Sequence, residues 1–371
     1  MNKNRRQFMQ ASLLGGAGIA AGGLPLTVGA EHHEMPEGKG LDILILGGTG
    51  YIGPHMVREA LRRGHKVSLF NRGRTNNELF PDLTLYKGDR DAGLDALKGH
   101  KWDAVIDNSG YVPRHVDDST KMLRDASSHY VFVSTISVYE SFETANDEDS
   151  PLGKLEDETE EEVTGDTYGP LKVLCEKRAR ENIAANDLTI LRPTYICGPG
   201  DKTDRFTYWP IRTARGGEML WPGKPADPIQ IIDVRDFATF TLDAVEQKIA
   251  GIFNTVTPAG AYTMGDLHDD SLAISAADMR AVWVDAEFIE SQELGERGNI
   301  PIWSAPTGEW GKVAFVDGSR ANAAGLHNRP MRETARDALA WWKTQPAERT
   351  AEPRAGLSPE LEAELLASWK S

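Results

Sequence analysis

Cysteine is nearly absent from this chain of 371 residues: Cys175 and Cys197 are the only two. A disulfide framework therefore does not build the fold. Two buried thiols are the plainer expectation, although spacing alone leaves a bridge between them open. Positive charge is also scarce, with 41 Lys and Arg against 56 Asp and Glu, a net charge of −15. Lys3, Arg5 and Arg6 are the only charges before Glu31, so a chain without its first thirty residues stands near −18. Phosphate backbones and anionic lipid both require basic surface, so no nucleic-acid partner and no lipid-binding role are expected. After residue 40 no apolar run is long enough to span a bilayer, so no membrane span is expected in the mature chain. No metal site is expected, and His32 and His33 are read as part of a linker. With 26% charged and 40% hydrophobic residues, the rest has the balance of a globular chain with room for one large domain or two lobes.

The N-terminus is different. Lys3, Arg5 and Arg6 precede a Gly- and Ala-rich apolar stretch from Ala11 to Leu26, and Val28-Gly29-Ala30 offers a small-residue cleavage site. Glycines dilute the stretch below what a spanning helix needs. The Arg-Arg-Gln-Phe-Met segment at 5–9 resembles a twin-arginine export signal, which implies a periplasmic protein, the export machinery as a partner, and cargo that folds around its cofactor before export.

Residues 41–53 read LDILILGGTGYIG. The near-continuous apolar run suits a central parallel strand buried on both faces. Gly47, Gly50 and Gly53 follow, then a helical pattern ending at Gly64, then the strand KVSLFN. Glycines at a strand-to-helix turn inside a βαβ unit let a pyrophosphate approach the backbone at a helix N-terminus. Downstream, YVFVST at 130–135 places Ser134 and Thr135 at the C-terminal end of a buried strand, where open α/β sheets bind ligands. Tyr168 and Lys172 lie four apart, on one face of a helix. An ammonium beside a phenol favours the phenolate and would bring its pKa down from about 10, making Tyr168 a usable proton acceptor.

The spacing Gly47-x-x-Gly50-x-x-Gly53, followed by the Ser-Thr strand and Tyr168-x-x-x-Lys172, resembles the extended short-chain dehydrogenase/reductase family, including its epimerase/dehydratase group. The resemblance implies an α/β fold, a Rossmann-like doubly wound parallel sheet with a small C-terminal substrate lobe. It implies Thr135, Tyr168 and Lys172 as the catalytic set. Cofactor contacts are then expected from Gly47, Thr49, Gly50, Tyr51, Ile52, Gly53, Asn71, Arg72, Arg74, Asp89, Arg90, Asn108, Ser109, Ser134 and Pro193, besides Tyr168 and Lys172. The second strand ends in Asn71-Arg72-Gly73-Arg74, with no acid for a ribose 2′-hydroxyl. The two arginines suit a 2′-phosphate, which favours NADP over NAD. Expected boundaries are a leader at 1–30, a linker at 31–40, the nucleotide domain at 41–205 with a return segment at 229–257, a substrate lobe at 206–228 and 258–346, and a linker and C-terminal helix at 347–371.

Tyr111, Asp204, Arg205 and Tyr208 are the substrate-side candidates, because aromatic and polar groups together suit a sugar-like small molecule. Nucleotide-sugar members resemble one another in an arginine just before the return strand. Here Pro228-Ile229 occupies that place and Arg235 lies further on, so a substrate without a nucleotide handle, such as a carbohydrate or polyol, is expected. An exported enzyme lacks a supply of reduced cofactor, which favours an epimerase or dehydratase that restores its cofactor within each cycle. A reductase resembling the isoflavone reductases is a second option. LFNRG at 69–73 and DRFTYW at 204–209 also resemble the chloroplast stem-loop-binding branch, which would make the chain a non-catalytic RNA binder. The family resemblance allows a homodimer. The acidic run at 147–166 reads as a solvated loop.

Overall fold

Strand β1, Asp42–Leu46, is buried along nearly its whole length and has parallel neighbours on both sides. That placement explains its apolar run, since neither face meets water. The computed structural model describes residues 40–371, so the expected export leader and most of the linker lie outside the described residues. Strands β2 (Lys66–Asn71), β3 (Thr84–Lys87), β4 (Ala104–Asp107), β5 (Tyr130–Val133), β6 (Leu188–Pro193) and β7 (Gly251–Thr255) complete a seven-stranded sheet in the order β3-β2-β1-β4-β5-β6-β7. Every pairing in it is parallel. This is the doubly wound Rossmann-like arrangement expected from the sequence, and its order reverses between β1 and β4, where such sheets open a crevice.

Helices α1 (Gly53–Arg62), α2 (Pro113–Leu123), α3 (Tyr168–Asn182) and α4 (Val234–Gln247) flank the sheet. One core joins β1 and β5 to α1 and α4 through Ile43, Met56, Val131 and Phe237. The other joins Leu44, Val105 and Phe132 to α2 and α3 through Val116 and Cys175. Cys175 and Cys197 are both free and buried.

A second body follows. Strands Gly217–Pro222 and Met279–Val284 pair in parallel, and helices Tyr208–Ala214, Met264–Ser275 and Met331–Lys343 pack around them. Phe206, Tyr208, Trp209 and Trp221 are core residues here. The C-terminal helix, Pro359–Trp369, packs on this same body: Leu361 and Leu365 enter its core, and Glu362 pairs with Arg212.

A buried ion pair ties two elements together at the catalytic end of the sheet. Glu176 on α3 and Arg192 on β6 are 2% and 1% exposed and bond through both carboxylate oxygens, at 2.9 and 2.6 Å. Ser134 donates to the same carboxylate, while Arg192 also reaches the Tyr139 hydroxyl and the Glu148 carbonyl. Removing one partner of such a pair leaves an uncompensated buried charge. Arg192→Leu is expected to destabilise the protein by about 3–5 kcal/mol, read as a lower urea midpoint; a midpoint within error of the parent would refute the assignment.

Candidate active site

The cleft at the C-terminal end of the sheet has a volume of about 510 Å³, in the range of small-molecule sites. Its floor is the β1–α1 turn, where the three glycines have three different reasons. Gly47 sits at φ +94°, and a Cβ there would meet Asn108 Oδ1 at 2.8 Å. Gly50 has open space where its side chain would be, so a ligand can reach its backbone. Gly53 packs against Gly47 and Gly48, and a Cβ would come within 2.4 Å of the Gly47 carbonyl. A turn, an exposed approach and a close helix packing are what a dinucleotide pyrophosphate at the N-terminus of α1 requires, so the residues present fit that group.

Most of the expected cofactor contacts line this cleft: Gly47, Thr49, Gly50, Tyr51, Ile52, Asn71, Arg72, Arg74, Asp89, Arg90, Asn108, Ser109, Ser134 and Pro193. Gly53 lies behind the wall as packing. Several of these side chains are already engaged. Asn71 Oδ1 accepts from Gly73 N at 2.8 Å and so shapes its own loop. Arg90 forks onto Asp107 and reaches Ser119, forming a buried floor with Tyr130. Ser134 is tied to Glu176. Arg72 and Arg74 are exposed on the rim, and no ion pair engages either among the described residues.

Thr135, Tyr168 and Lys172 all reach the same end of the cleft. Thr135 follows β5 and caps a short turn by accepting from Ser137 N at 3.1 Å. Tyr168 is the first residue of α3, and Gly169 behind it packs on the Ser137 carbonyl with no room for a Cβ. Lys172 is buried one turn on. Its Nζ donates to the Gly110 and Val133 carbonyls, each at 2.7 Å, and lies 4.1 Å from the centre of the Phe132 ring.

The electrostatics depart from expectation. Burial pushes the Tyr168 phenol up, the Tyr111 phenol adds to this, and the hydrogen bond with Thr135 pulls only partway back. Burial also lowers Lys172, whose ammonium is directed at backbone carbonyls and an aromatic face. The chain's own lysine therefore does not by itself bring the phenol toward neutrality.

On the substrate side, Tyr111 (47% exposed) and Arg205 are on the wall. Asp204 and Tyr208 are not, and the expectation is corrected for both. Asp204 is fully buried and holds Arg349 and the Arg354 amide, while Tyr208 packs in the core of the second body. The sequence reading missed Ser137, Thr194, Tyr195, Asp201, Lys202 and Thr203, all on the wall. Asp201 is 1% exposed, burial raises its carboxyl, and its Oδ2 has no partner. Its place in the Gly-Pro-Gly-Asp run was the available signal.

His55, on α1 below the turn, bonds the Pro199 carbonyl at 2.9 Å, and burial lowers it to about 4. An unfolded histidine titrates near 6.5, so the unfolded chain binds more protons between those values. The stability that neutral His55 contributes is full above pH 6.5 and is lost as pH falls toward 4. His55→Gln should flatten the fall in urea midpoint between pH 7 and pH 4.5; parallel curves for parent and variant would refute this.

Residues 43–255 match the sequence profile of the NAD dependent epimerase/dehydratase family. Among characterised relatives, the chloroplast stem-loop binding protein of 41 kDa b from Arabidopsis thaliana is 27% identical over 238 residues. That match covers 57% of this chain and 57% of the plant protein's length. The Bos taurus epimerase family protein SDR39U1 is 26% identical over 238 residues, 60% of this chain and 76% of that protein. The solved structure of the Bordetella bronchiseptica enzyme WbmG with NAD superposes with a TM-score of 0.61 at 18% identity, over 87% of this chain and 99% of that one. A UDP-glucose 4-epimerase superposes with a TM-score of 0.57 at 15% identity, over 82% and 98%.

Proposed function

The chain belongs to the NAD dependent epimerase/dehydratase family, and on that premise we propose that it is an NAD(P)-dependent oxidoreductase of the short-chain type. Its substrate is a hydroxyl or carbonyl on a sugar-like or polyol molecule without a nucleotide handle. The observation that carries this reading is that Thr135, Tyr168 and Lys172 line the same cleft as the glycine turn. Bound NAD(P) would supply the hydride acceptor or donor. Tyr168 exchanges the proton at the substrate oxygen, Thr135 orients that oxygen, and Lys172 holds the Gly110 and Val133 carbonyls at the edge of the site. Because burial raises the free phenol, positive charge arriving with the oxidised cofactor is what would make Tyr168 a base.

The pairing of arginines supports a substrate without a diphosphate. Arg212 is taken by Glu362, Arg235 by Asp233 and Asp337, and Arg329 by Asp236. Arg235, the nearest residue to the place where nucleotide-sugar members carry their clamp, is thus committed elsewhere. The alternative of an RNA-binding protein rests on the likeness of LFNRG at 69–73 and DRFTYW at 204–209 to the stem-loop-binding branch, but a net charge of −15 opposes it. The leader, on its sequence, supports export through the twin-arginine route with the cofactor already loaded.

Two outcomes test the proposal. Protein recovered from the periplasm and denatured should release about one equivalent of NAD or NADP, identified by mass; an empty protein that binds neither would overturn the reading. Tyr168→Phe should retain the nucleotide and lose on the order of 10²–10⁴ in turnover. For cofactor choice, Arg72→Ala combined with Arg74→Ala should weaken NADP binding by roughly tenfold or more and leave NAD binding nearly unchanged; an equal loss for both would assign the arginines no role in choosing.

A further inference from the structure

The loop from Asp201 to Arg205 is braced from both sides. Asp201 Oδ1 accepts from the Thr203 amide at 2.8 Å and from its hydroxyl at 2.7 Å. That hydroxyl oxygen in turn accepts from Arg205 Nε at 3.0 Å. The guanidinium lies over the Tyr195 ring, 4.8 Å from its centre. Next to it Asp204, at φ +59° and fully buried, is clamped by Arg349 and by the Arg354 amide at 2.9 Å. Arg205 is therefore fixed in position through its Nε and its stacked face. Its two terminal nitrogens, however, have no partner among the described residues, although the side chain lines the cleft that holds Thr135 and Tyr168. Arg192, Arg235, Arg329 and Arg349 each give a terminal nitrogen to a carboxylate, and Arg212 gives its terminal nitrogens to the Gly216 and Glu218 carbonyls and its Nε to Glu362.

A fork held in this way and left unpaired, inside a strongly acidic chain, is suited to a planar anion that meets both terminal N–H groups side by side. We infer that Arg205 is the carboxylate-recognition residue of this cleft, and that the substrate is a sugar acid or a related polyhydroxy acid; this rests on the redox reading of the site. A phosphoryl group matches less well. Lys202 adds general attraction on the same wall, but among the described residues no second unpaired guanidinium lines the cleft at that end to share a third oxygen. Asp204 is a positioning residue: it touches no ligand and acts by holding the loop.

The full chain loaded with nucleotide would be titrated calorimetrically with D-glucuronate and D-galacturonate, with the neutral D-glucose and D-galactose, and with D-glucose 6-phosphate. Reduction of the cofactor would be followed by absorbance. At least one uronate should bind about tenfold or more tighter than its neutral counterpart. Arg205→Ala should abolish that preference with nucleotide affinity unchanged, which also shows that the variant folds. Arg205→Lys should restore only part of it, because a point charge lacks the fork. Asp204→Asn should raise KM for the acid several-fold with little change in kcat. Equal binding of acid and neutral sugar, tighter binding of the phosphate, or an undiminished preference in Arg205→Ala would overturn the inference while nucleotide binding leaves the redox reading standing. Failure to bind any nucleotide would remove both.

Discussion

Everything at the catalytic end depends on a charge that water cannot reach. Arg192 is almost wholly enclosed where β6 leaves the sheet, and only the Glu176 carboxylate makes that tolerable. The pair fixes the distance between α3 and β6. Because Ser134 bonds to the same carboxylate, it also fixes the end of β5. Tyr168 and Lys172 lie on the N-terminal turns of α3, and Thr135 is the neighbour of Ser134, so three segments distant in sequence take one registration. A hydrophobic contact would be as strong but would tolerate sliding. A two-point bond between a guanidinium and a carboxylate specifies angle as well as distance.

The parallel sheet and its nucleotide turn were legible because each rests on local chemistry. The run at 42–46 excludes a half-exposed strand, and Gly47, Gly50 and Gly53 are spaced as the turn demands. The helical period puts Tyr168 and Lys172 on one face of α3, and their role is what the family resemblance implies. What the sequence did not reveal was side-chain commitment. Asp204 and Arg205 are adjacent and equally polar, yet one is turned into the body and the other onto the cleft, a choice made by Arg349 and Arg354 some 150 residues away. Tyr208 read as a ligand aromatic, and the packing of the second body made it core. A related choice concerns Lys172: spacing brings it to the face of Tyr168, but Gly110, Val133 and Phe132 decide where its ammonium points.

The distribution of arginines divides the molecule. In the second body nearly every guanidinium is matched to a carboxylate and serves the fold. On the cleft, Arg72, Arg74 and Arg205 have no such match and are available to a ligand. In a chain with a large excess of acids, an uncommitted arginine is the exception, and its location marks the places where anionic groups are welcome.

The bracing of Asp204 by the last thirty residues has a consequence for how such a site diversifies. The segment carrying Arg349 and Arg354 supplies none of the cleft-lining residues, yet it bonds Asp204 and the Lys202 carbonyl and so sets the posture of the loop on the cleft wall. Lineages can therefore retune selectivity by rewriting a peripheral tail while the reaction chemistry is inherited intact, much as a key blank is recut without altering the lock's spring.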